Sequence, residues 1–374
     1  MTENAENRIQ PGFTPSPAPA APPPAAPLRF TFSGDGAEFF RIWFVNILLS
    51  ILTLGIYSAW GKVRTQKYLY GHTRFAGSGF DYHGKPLAIL KGRALIVGVI
   101  VLLAVAKQVS PLLELGMYLG LALFLPWAVT AAMRFRLRNT SWRQMRFNFR
   151  ATTWETSSQI AMNIVIVVLT LGFGLPYARH RLHQFLVGHS WFGNARFDMS
   201  RCVREYYGVW FKGILMAIGA SVALVVVGLI FTFGLGIVSG GGKTAFGIGI
   251  VLYVVLAYLF LLVMWMSVGQ IIHDGFSNAM WNHTVLNSDG RLHRFQSGMT
   301  LGGLARLHAG NAILILLSAG FYYPFAKLRV LDYRLSNLTV FPDDNLDAIR
   351  ARPLSDNAAL GDAAADGFEL DLGL

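Results

Sequence analysis

Seven long apolar stretches dominate this chain and exclude an ordinary soluble fold. They cover Ile42–Trp60, Ala94–Ala106, Leu112–Met133, Ile160–Tyr177, Ile214–Val238, Ala245–Val268 and Ala309–Phe325. Most approach or reach the ~20 residues that a helix needs to cross a hydrocarbon core of about 30 Å. Only helices and closed barrels satisfy backbone polar groups in lipid, and these stretches are too long for barrel strands. The sequence therefore predicts an all-α, multi-spanning membrane protein.

Composition agrees with lipid as the solvent. Hydrophobic residues make up 53% of the chain and charged residues only 14%, against about 25% charged in soluble proteins. The net charge is +12, which in a soluble protein would indicate a nucleic-acid partner. Here the basic residues flank apolar stretches, so the expected partners are anionic membrane lipids and not nucleic acid. The oligomeric state is left open.

The two ends of the chain differ in composition from the body. Residues 1–28 form a Pro/Ala-rich arm, and residues 342–374 form a tail rich in aspartate. Both compositions are typical of disordered segments. We therefore expect one membrane domain over residues 29–341, with a disordered arm before it and a disordered acidic tail after it.

The body contains an internal repeat. The segments that begin at Asn46, Asn163 and Asn311 align without gaps. Each has an asparagine, an apolar run, Thr or Ser, one further residue, a glycine, an aromatic residue and then two basic residues separated by one. Apolar helices resemble one another by chance, but this polar pattern does not recur three times by chance. We expect repeat units near residues 29–84, 147–198 and 293–341.

The repeat has a physical interpretation. The apolar half is a helix, and the Thr/Ser-x-Gly sequence near its end allows the helix to bend or stop. Pro176 and Pro324 then suit the first turn of a second helix, where a missing N–H costs nothing. The paired cations of that second helix place it in the headgroup layer. Between the helices, short alternating segments such as Arg146-Phe-Asn-Phe-Arg indicate small β-hairpins outside the bilayer.

Several of these motifs resemble those of a known family. They run from Phe30-Thr-Phe-Ser-Gly through Thr53-Leu-Gly-Ile-Tyr, Trp60-Gly-Lys-Val-Arg and Phe80-Asp-Tyr-His-Gly to Gly92-Arg. The pattern is similar to that of the YjgN-type inner-membrane protein family and covers roughly residues 29–341. This resemblance implies a multi-pass protein of the bacterial inner membrane. It implies no particular chemistry, because the family is one of unknown function.

Three basic pairs and three asparagines are the candidate site residues. The basic pairs are Lys62/Arg64, Arg179/Arg181 and Lys327/Arg329, and the intramembrane asparagines are Asn46, Asn163 and Asn311. The pairs would bind lipid headgroups or an anionic substrate, or would only anchor the helix. The asparagines would hydrogen-bond between helices or line a polar path.

Catalytic and metal-binding motifs are not found in the sequence. His180-x-x-His183 has helical spacing for a shared metal ion, but its repeat equivalents are not ligands, so we interpret both as interfacial histidines. We find no P-loop, G-x-S-x-G or H-E-x-x-H motif. We predict no enzyme activity, no catalytic residues, no metal and no cofactor.

Two architectures, and two functions, remain open. If each repeat helix crosses the bilayer once, the repeats are inverted, as in secondary transporters, and the chain would move an anionic or lipidic substrate. If the repeat helices enter and return, four true spans remain and all basic pairs lie on one face. The chain would then organise lipids or partner proteins without transport. The sequence favours transport and a cytoplasmic C-terminus, and the membrane-enzyme alternative lacks any catalytic group.

Overall fold

The computed structural model describes residues 26–238 and 243–343, together with Leu346 and Ile349. The strands are β1 (Leu28–Phe32), β2 (Thr73–Phe75), β3 (Ser78–Tyr82), β4 (Thr140–Trp142), β5 (Met145–Phe149), β6 (Ser190–Phe192), β7 (Ala195–Met199), β8 (Thr284–Ser288), β9 (Arg291–Ser297) and β10 (Leu338–Phe341). The helices are α1 (Gly36–Leu52), α2 (Ser58–Gly71), α3 (Pro86–Val109), α4 (Pro111–Arg138), α5 (Thr153–Leu169), α6 (Leu175–Gly188), α7 (Val203–Val238), α8 (Lys243–Asn282), α9 (Leu301–Leu317) and α10 (Tyr323–Ser336).

These elements form five consecutive β-α-α-β units. Units 1 to 5 begin with β1, β3, β5, β7 and β9, and each ends with the next strand. In every unit the amide that follows the first strand donates to the carbonyl of the residue that follows the second helix. The five bonds are Ser33 to His72 (3.0 Å), His83 to Asn139 (2.8 Å), Arg150 to His189 (3.0 Å), Ser200 to His283 (2.9 Å) and Gly298 to Asn337 (2.9 Å). The predicted repeat units overlap units 1, 3 and 5.

The strands close into an antiparallel barrel of ten strands, so the predicted all-α class is wrong. The strand order follows the chain, and the barrel closes where β1 pairs with β10, with Leu28 opposite Val340. Alternation indicated strands in the segments that begin at Arg29, Arg74, Arg146, Arg196 and Arg294, and these segments do lie in β1, β2, β3, β5, β7 and β9. Closure needs pairing between the two ends of the domain, and no local pattern reports that pairing.

Aromatic side chains fill the inside of the barrel. Each odd-numbered strand contributes one phenylalanine, and these are Phe30, Phe80, Phe147, Phe197 and Phe295. The even-numbered strands contribute Phe75, Trp142, Phe192, Leu286 and Val340, all buried. Ring contacts run almost continuously from one strand to the next. Small barrels are filled in this way, so the described barrel is a packed core and not an aqueous pore.

The predicted disordered ends lie almost entirely outside the described residues. Within residues 342–374, Leu346 and Ile349 are described, and both are buried in the aromatic core of the barrel. Asp343 donates its amide to Nδ1 of the buried His293 at 3.2 Å. The chain after β10 therefore folds back into the barrel at these positions.

Units 1, 3 and 5 carry short helix pairs of 17 and 14 residues. Their first helices end alike: the amides of Gly55, Gly172 and Gly320 donate to the carbonyls five residues earlier, at 2.7 to 2.8 Å. These glycines have φ near +90°, and the preceding residue has φ +50° in each copy. This Schellman arrangement stops the helix and turns the chain back.

The Thr or Ser hydroxyl of the repeat lies in the same turn and contributes to the start of the second helix. Thr53, Thr170 and Ser318 each accept a hydrogen bond from the amide four residues later, at 2.7 to 2.9 Å. That amide opens the second helix of the pair and would otherwise lack a partner. The Thr/Ser-x-Gly sequence therefore ends one helix and caps the next, so the apolar stretches of the repeat are hairpins and not single spans.

Units 2 and 4 carry the long helix pairs. Among the described residues, four helices are long and apolar enough to cross a membrane: α3, α4, α7 and α8. All five helix pairs leave the same end of the barrel, because the strands of consecutive units are joined by tight turns at the other end. The described part of the chain therefore consists of a barrel with tight turns at one end and ten helices of unequal length at the other.

Candidate functional site

A layer of polar helix segments separates the barrel from the apolar parts of the helices. We call this layer the collar and define it as the first ten residues of each helix, counted from the adjoining strand. At a rise of 1.5 Å per residue, the collar is about 15 Å deep. Because α7 and α8 have 36 and 40 residues, each retains more than enough apolar length beyond the collar to cross a bilayer.

The outer half of the collar carries a belt of cations. Eleven Lys and Arg residues occupy the sixth to tenth positions of their helices, counted from the barrel end, about 9 to 15 Å along the helix axis. This cationic belt consists of Arg41, Lys62, Arg64, Lys91, Arg93, Arg179, Arg181, Lys212, Arg306, Lys327 and Arg329. Every unit contributes at least one member. The same layer contains one acidic residue, Asp274, which is fully buried.

All three predicted basic pairs lie in the cationic belt. They occupy equivalent places on α2, α6 and α10, so the barrel brings together residues that are far apart in sequence. Arg64 and Arg329 are exposed, and Lys62, Arg179, Arg181 and Lys327 are half-buried. Nη1 of Arg329 donates to Oη of Tyr322 at 3.0 Å and to Oδ1 of Asn311 at 3.1 Å. Nη2 of Arg181 donates to Oε1 of Gln159 at 3.3 Å.

The predicted asparagines join the two helices of each short pair. Nδ2 of Asn46 donates to the carbonyl of Gly61 at 3.2 Å, and Nδ2 of Asn163 donates to the carbonyl of Ala178 at 3.2 Å. Asn311 instead accepts the bond from Arg329. Asn46 and Asn311 are buried, and a side chain at Gly61 would come within 3.2 Å of Asn46. The asparagines thus fix the close approach of the paired helices. Each side chain contacts the second helix of its own pair and does not face a common cavity.

Aromatic residues lie just beyond the cationic belt. Four aromatic residues occupy the twelfth position of the second helix in four units, counted from the barrel end: Trp60, Trp127, Tyr177 and Phe325. Tryptophan and tyrosine prefer the boundary between headgroups and hydrocarbon. A cationic layer bordered by an aromatic layer has the polarity profile of a bilayer surface.

The sequence did not reveal a buried ionic cluster between units 4 and 5. Asp274 on α8 is fully buried, and its carboxylate accepts a bond from Nε2 of His308 at 2.7 Å. The guanidinium of Arg334 contacts the other carboxylate oxygen, and Nδ1 of His273 lies 3.3 Å from that oxygen. The cluster joins α8, α9 and α10. The signal appears only when all five units are aligned, because Asp274 then matches the buried residues Val63, Thr130, His180 and Leu328.

The two histidines predicted to be interfacial are buried inside the collar. Nδ1 of His183 lies 2.6 Å from Oη of Tyr206, and Nε2 of His180 accepts the amide of Cys202 at 3.1 Å. Burial lowers the pKa of His180, so its ring is neutral at physiological pH. In residues 26–238 and 243–343, no three His, Cys, Asp or Glu side chains lie close enough together to hold a metal ion.

Comparison with known proteins identifies the family. The DUF898 profile, described as bacterial protein of unknown function, matches residues 27–367. The inner membrane protein YjgN of Escherichia coli O157:H7 is 24% identical over 392 residues, which covers 88% of this chain and 93% of that protein. YjgN of Salmonella typhimurium LT2 is 27% identical over 37% of this chain and 38% of that protein, and YjgN of Escherichia coli K12 is 31% identical over 33% of this chain and 31% of that protein. No solved structure matches the chain.

These matches confirm the resemblance that the motifs indicated. The relatives are inner-membrane proteins by name, and the four long apolar helices of this chain fit insertion into a membrane. The family match covers nearly all of the described residues, including both short and long helix pairs. The chain therefore belongs to the DUF898 family of bacterial proteins of unknown function, which includes the inner-membrane protein YjgN.

Proposed function

We propose that this protein is a membrane-surface module that binds anionic lipid headgroups at its cationic belt, with the barrel in the cytoplasm. The observation that supports this proposal is the charge of the belt, where eleven cations share a layer with a single buried carboxylate. Anionic headgroups would lie at the height of the belt, since the helices become apolar immediately beyond it. The barrel would then stand on the membrane surface.

The distribution of charge supports the proposed orientation. Among the described residues, Lys107 and Lys243 are the only Lys or Arg that lie beyond the belt, at the far end of the long helix pairs. The positive-inside rule assigns the side rich in Lys and Arg to the cytoplasm. Strands β1 and β10 pair with each other, so the beginning of β1 and the end of β10 lie at the same end of the barrel, away from the helices.

Transport, which the sequence favoured, has less support from the geometry. Among the described residues, neither helix of the first long pair makes an extensive contact with α7 or α8. The inside of the barrel is filled with aromatic side chains. Transport stays a prediction, and lipid binding is the proposal that the residues of a single copy support.

Loss of belt charge is expected to weaken the binding of anionic lipid. Each surface cation contributes about 1 kcal/mol, so replacing Arg64, Arg181 and Arg329 with glutamine should reduce the affinity on the order of 100-fold at low salt. The measurement is the phosphatidylglycerol that stays bound to purified protein after detergent exchange. Replacing Arg29, Arg74 and Arg294 with glutamine removes the same charge from the barrel wall. Equal retention by the two triple variants would contradict the proposal.

Sidedness can be tested with single cysteines at the two ends of the molecule. The exposed Gln108 lies near the far tip of α3, and the exposed Arg74 lies on the barrel. Burial raises the pKa of the native Cys202 thiol to about 12, so that residue should stay unlabelled. In intact cells an impermeant maleimide should label Gln108→Cys at once, and Arg74→Cys only after permeabilisation. The reverse result would place the barrel outside the cytoplasm.

A further inference from the structure

The ten helices reach very different depths beyond the cationic belt. In the short pairs, the last seven residues of the first helix lie beyond the belt, for example Asn46–Leu52, which span about 10 Å. This is about a third of a 30 Å hydrocarbon core. In the long pairs, 26 residues of α7 lie beyond Lys212, which spans about 39 Å and is enough to cross the whole core.

The tips of the short pairs are suited to acyl chains. The side chains of Leu54, Leu171 and Leu317 are 95%, 89% and 78% exposed, and no other part of the described protein covers them. Burial of apolar surface contributes roughly 25 cal/mol per Å², so tips that face water or headgroups would be unfavourable. The short pairs therefore end inside the hydrocarbon of the leaflet nearest the barrel.

From these depths we infer that the protein is an asymmetric wedge that favours membrane curved convex toward the barrel. Ten helices occupy the leaflet nearest the barrel, and only α3, α4, α7 and α8 continue into the other leaflet. A helix about 10 Å wide covers about 80 Å², so the six additional helices displace about 500 Å² more of the near leaflet. An excess of area in one leaflet is relieved when that leaflet forms the convex face. This inference needs the protein to be inserted in the bilayer, but it does not need headgroup binding.

The test is the orientation of the protein in vesicles of different curvature. Full-length protein that carries Arg74→Cys is reconstituted in phosphatidylcholine, and small and large vesicles are separated. The fraction with the barrel outward is the fraction labelled by an impermeant maleimide before detergent is added. The ratio of outward to inward protein should be roughly two-fold or more higher in small vesicles, where the outer leaflet is strongly convex. A ratio that does not change with vesicle size overturns the inference.

The contribution of the tips can be isolated by substitution. Leu54, Leu171 and Ala319 have φ +50° in the three turns, a conformation that asparagine tolerates better than leucine or alanine. Replacing all three with asparagine makes the tips polar without straining the turns, and the size dependence should disappear. The control variant replaces Ala76 and Gln144 with asparagine instead. These residues have φ +47° and +64° in the barrel turns, so the control variant should keep the dependence on vesicle size. If the triple variant keeps the same size dependence, the tips do not form the wedge.

Zwitterionic lipid separates this inference from the proposed function. Phosphatidylcholine offers no net negative charge to the cationic belt, so headgroup binding cannot bias the orientation. If the belt triple variant loses anionic lipid and vesicle size has no effect on orientation, the proposed function is supported and the wedge is excluded. If vesicle size affects orientation and the belt and barrel-wall triple variants retain equal amounts of lipid, the wedge is supported and the proposed function is excluded.

Discussion

Replacement of Asp274 with asparagine is expected to lower the free energy of unfolding by about 3–5 kcal/mol. The carboxylate is fully buried and is held by His308 at 2.7 Å, by Arg334, and by His273 at 3.3 Å. An amide in its place leaves the guanidinium of Arg334 without its counter-charge. The nitrogen of that amide would also face Nε2 of His308 or the guanidinium. Unfolding of the purified protein by titration with sodium dodecyl sulfate, followed by tryptophan fluorescence, measures the loss.

The size of this effect reflects the position of Asp274 between two units. The carboxylate on α8 contacts residues of α9 and α10, so it joins the long helix pair of unit 4 to the short helix pair of unit 5. An exposed carboxylate gives the matched control, because Asp332→Asn on α10 should change the stability by less than about 0.5 kcal/mol. Combining Asp274→Asn with Arg334→Gln should recover part of the loss, since the double variant has no unpaired charge. Additive losses in the double variant would show that the ion pair is not the cause.

The sequence revealed three of the five units because of their turns. Units 1, 3 and 5 share a Thr or Ser that caps one helix and a glycine with positive φ that ends the other, so their side chains are constrained in the same way. In units 2 and 4 the helices are longer. In unit 2 the turn between the two helices is formed by Ser110-Pro111 instead. The pattern that begins at Asn46 in unit 1 therefore does not align on units 2 and 4.

The barrel was only partly predictable for a different reason. Alternation within β1, β5 and β9 could be read locally, because each strand places one face in an apolar core. Closure depends on the pairing of Leu28 with Val340, which are neighbours in space but lie at opposite ends of the domain in sequence. No periodicity encodes that contact. The strands were therefore expected as isolated hairpins, and the fold class was wrong.

The candidate site was also only partly predictable from the sequence. The basic pairs were predicted from the repeat, because cations that follow an apolar helix mark its polar end, and they do lie together in the belt. The other five members of the belt were missed, since they lie outside the three aligned segments: Arg41, Lys91, Arg93, Lys212 and Arg306. Asp274 and its partners were also missed, because the carboxylate and Arg334 lie 60 residues apart in sequence and meet only through the packing of units 4 and 5.

Replacement of Leu346 and Ile349 with alanine is expected to destabilise the barrel by about 2–5 kcal/mol for each residue. Both side chains are buried with Phe75, Trp142 and Phe192, although they follow the last strand and precede an acidic stretch. Removal of either side chain leaves a cavity among rigid aromatic rings, which cannot collapse to fill it. Thermal unfolding of the purified protein, followed by near-ultraviolet circular dichroism of the aromatic residues, measures the loss.

The control must separate loss of packing from loss of apolar surface in general. Leu292 on β9 is 41% exposed on the barrel wall, so Leu292→Ala should have a much smaller effect than either buried replacement. If Leu346 and Ile349 fill the barrel, replacing them should also make Trp142 more accessible to a soluble quencher such as acrylamide. Unchanged stability and unchanged quenching would mean that the barrel is complete without these residues. A loss of stability together with increased quenching would make Leu346 and Ile349 part of the barrel core, although both follow the last strand.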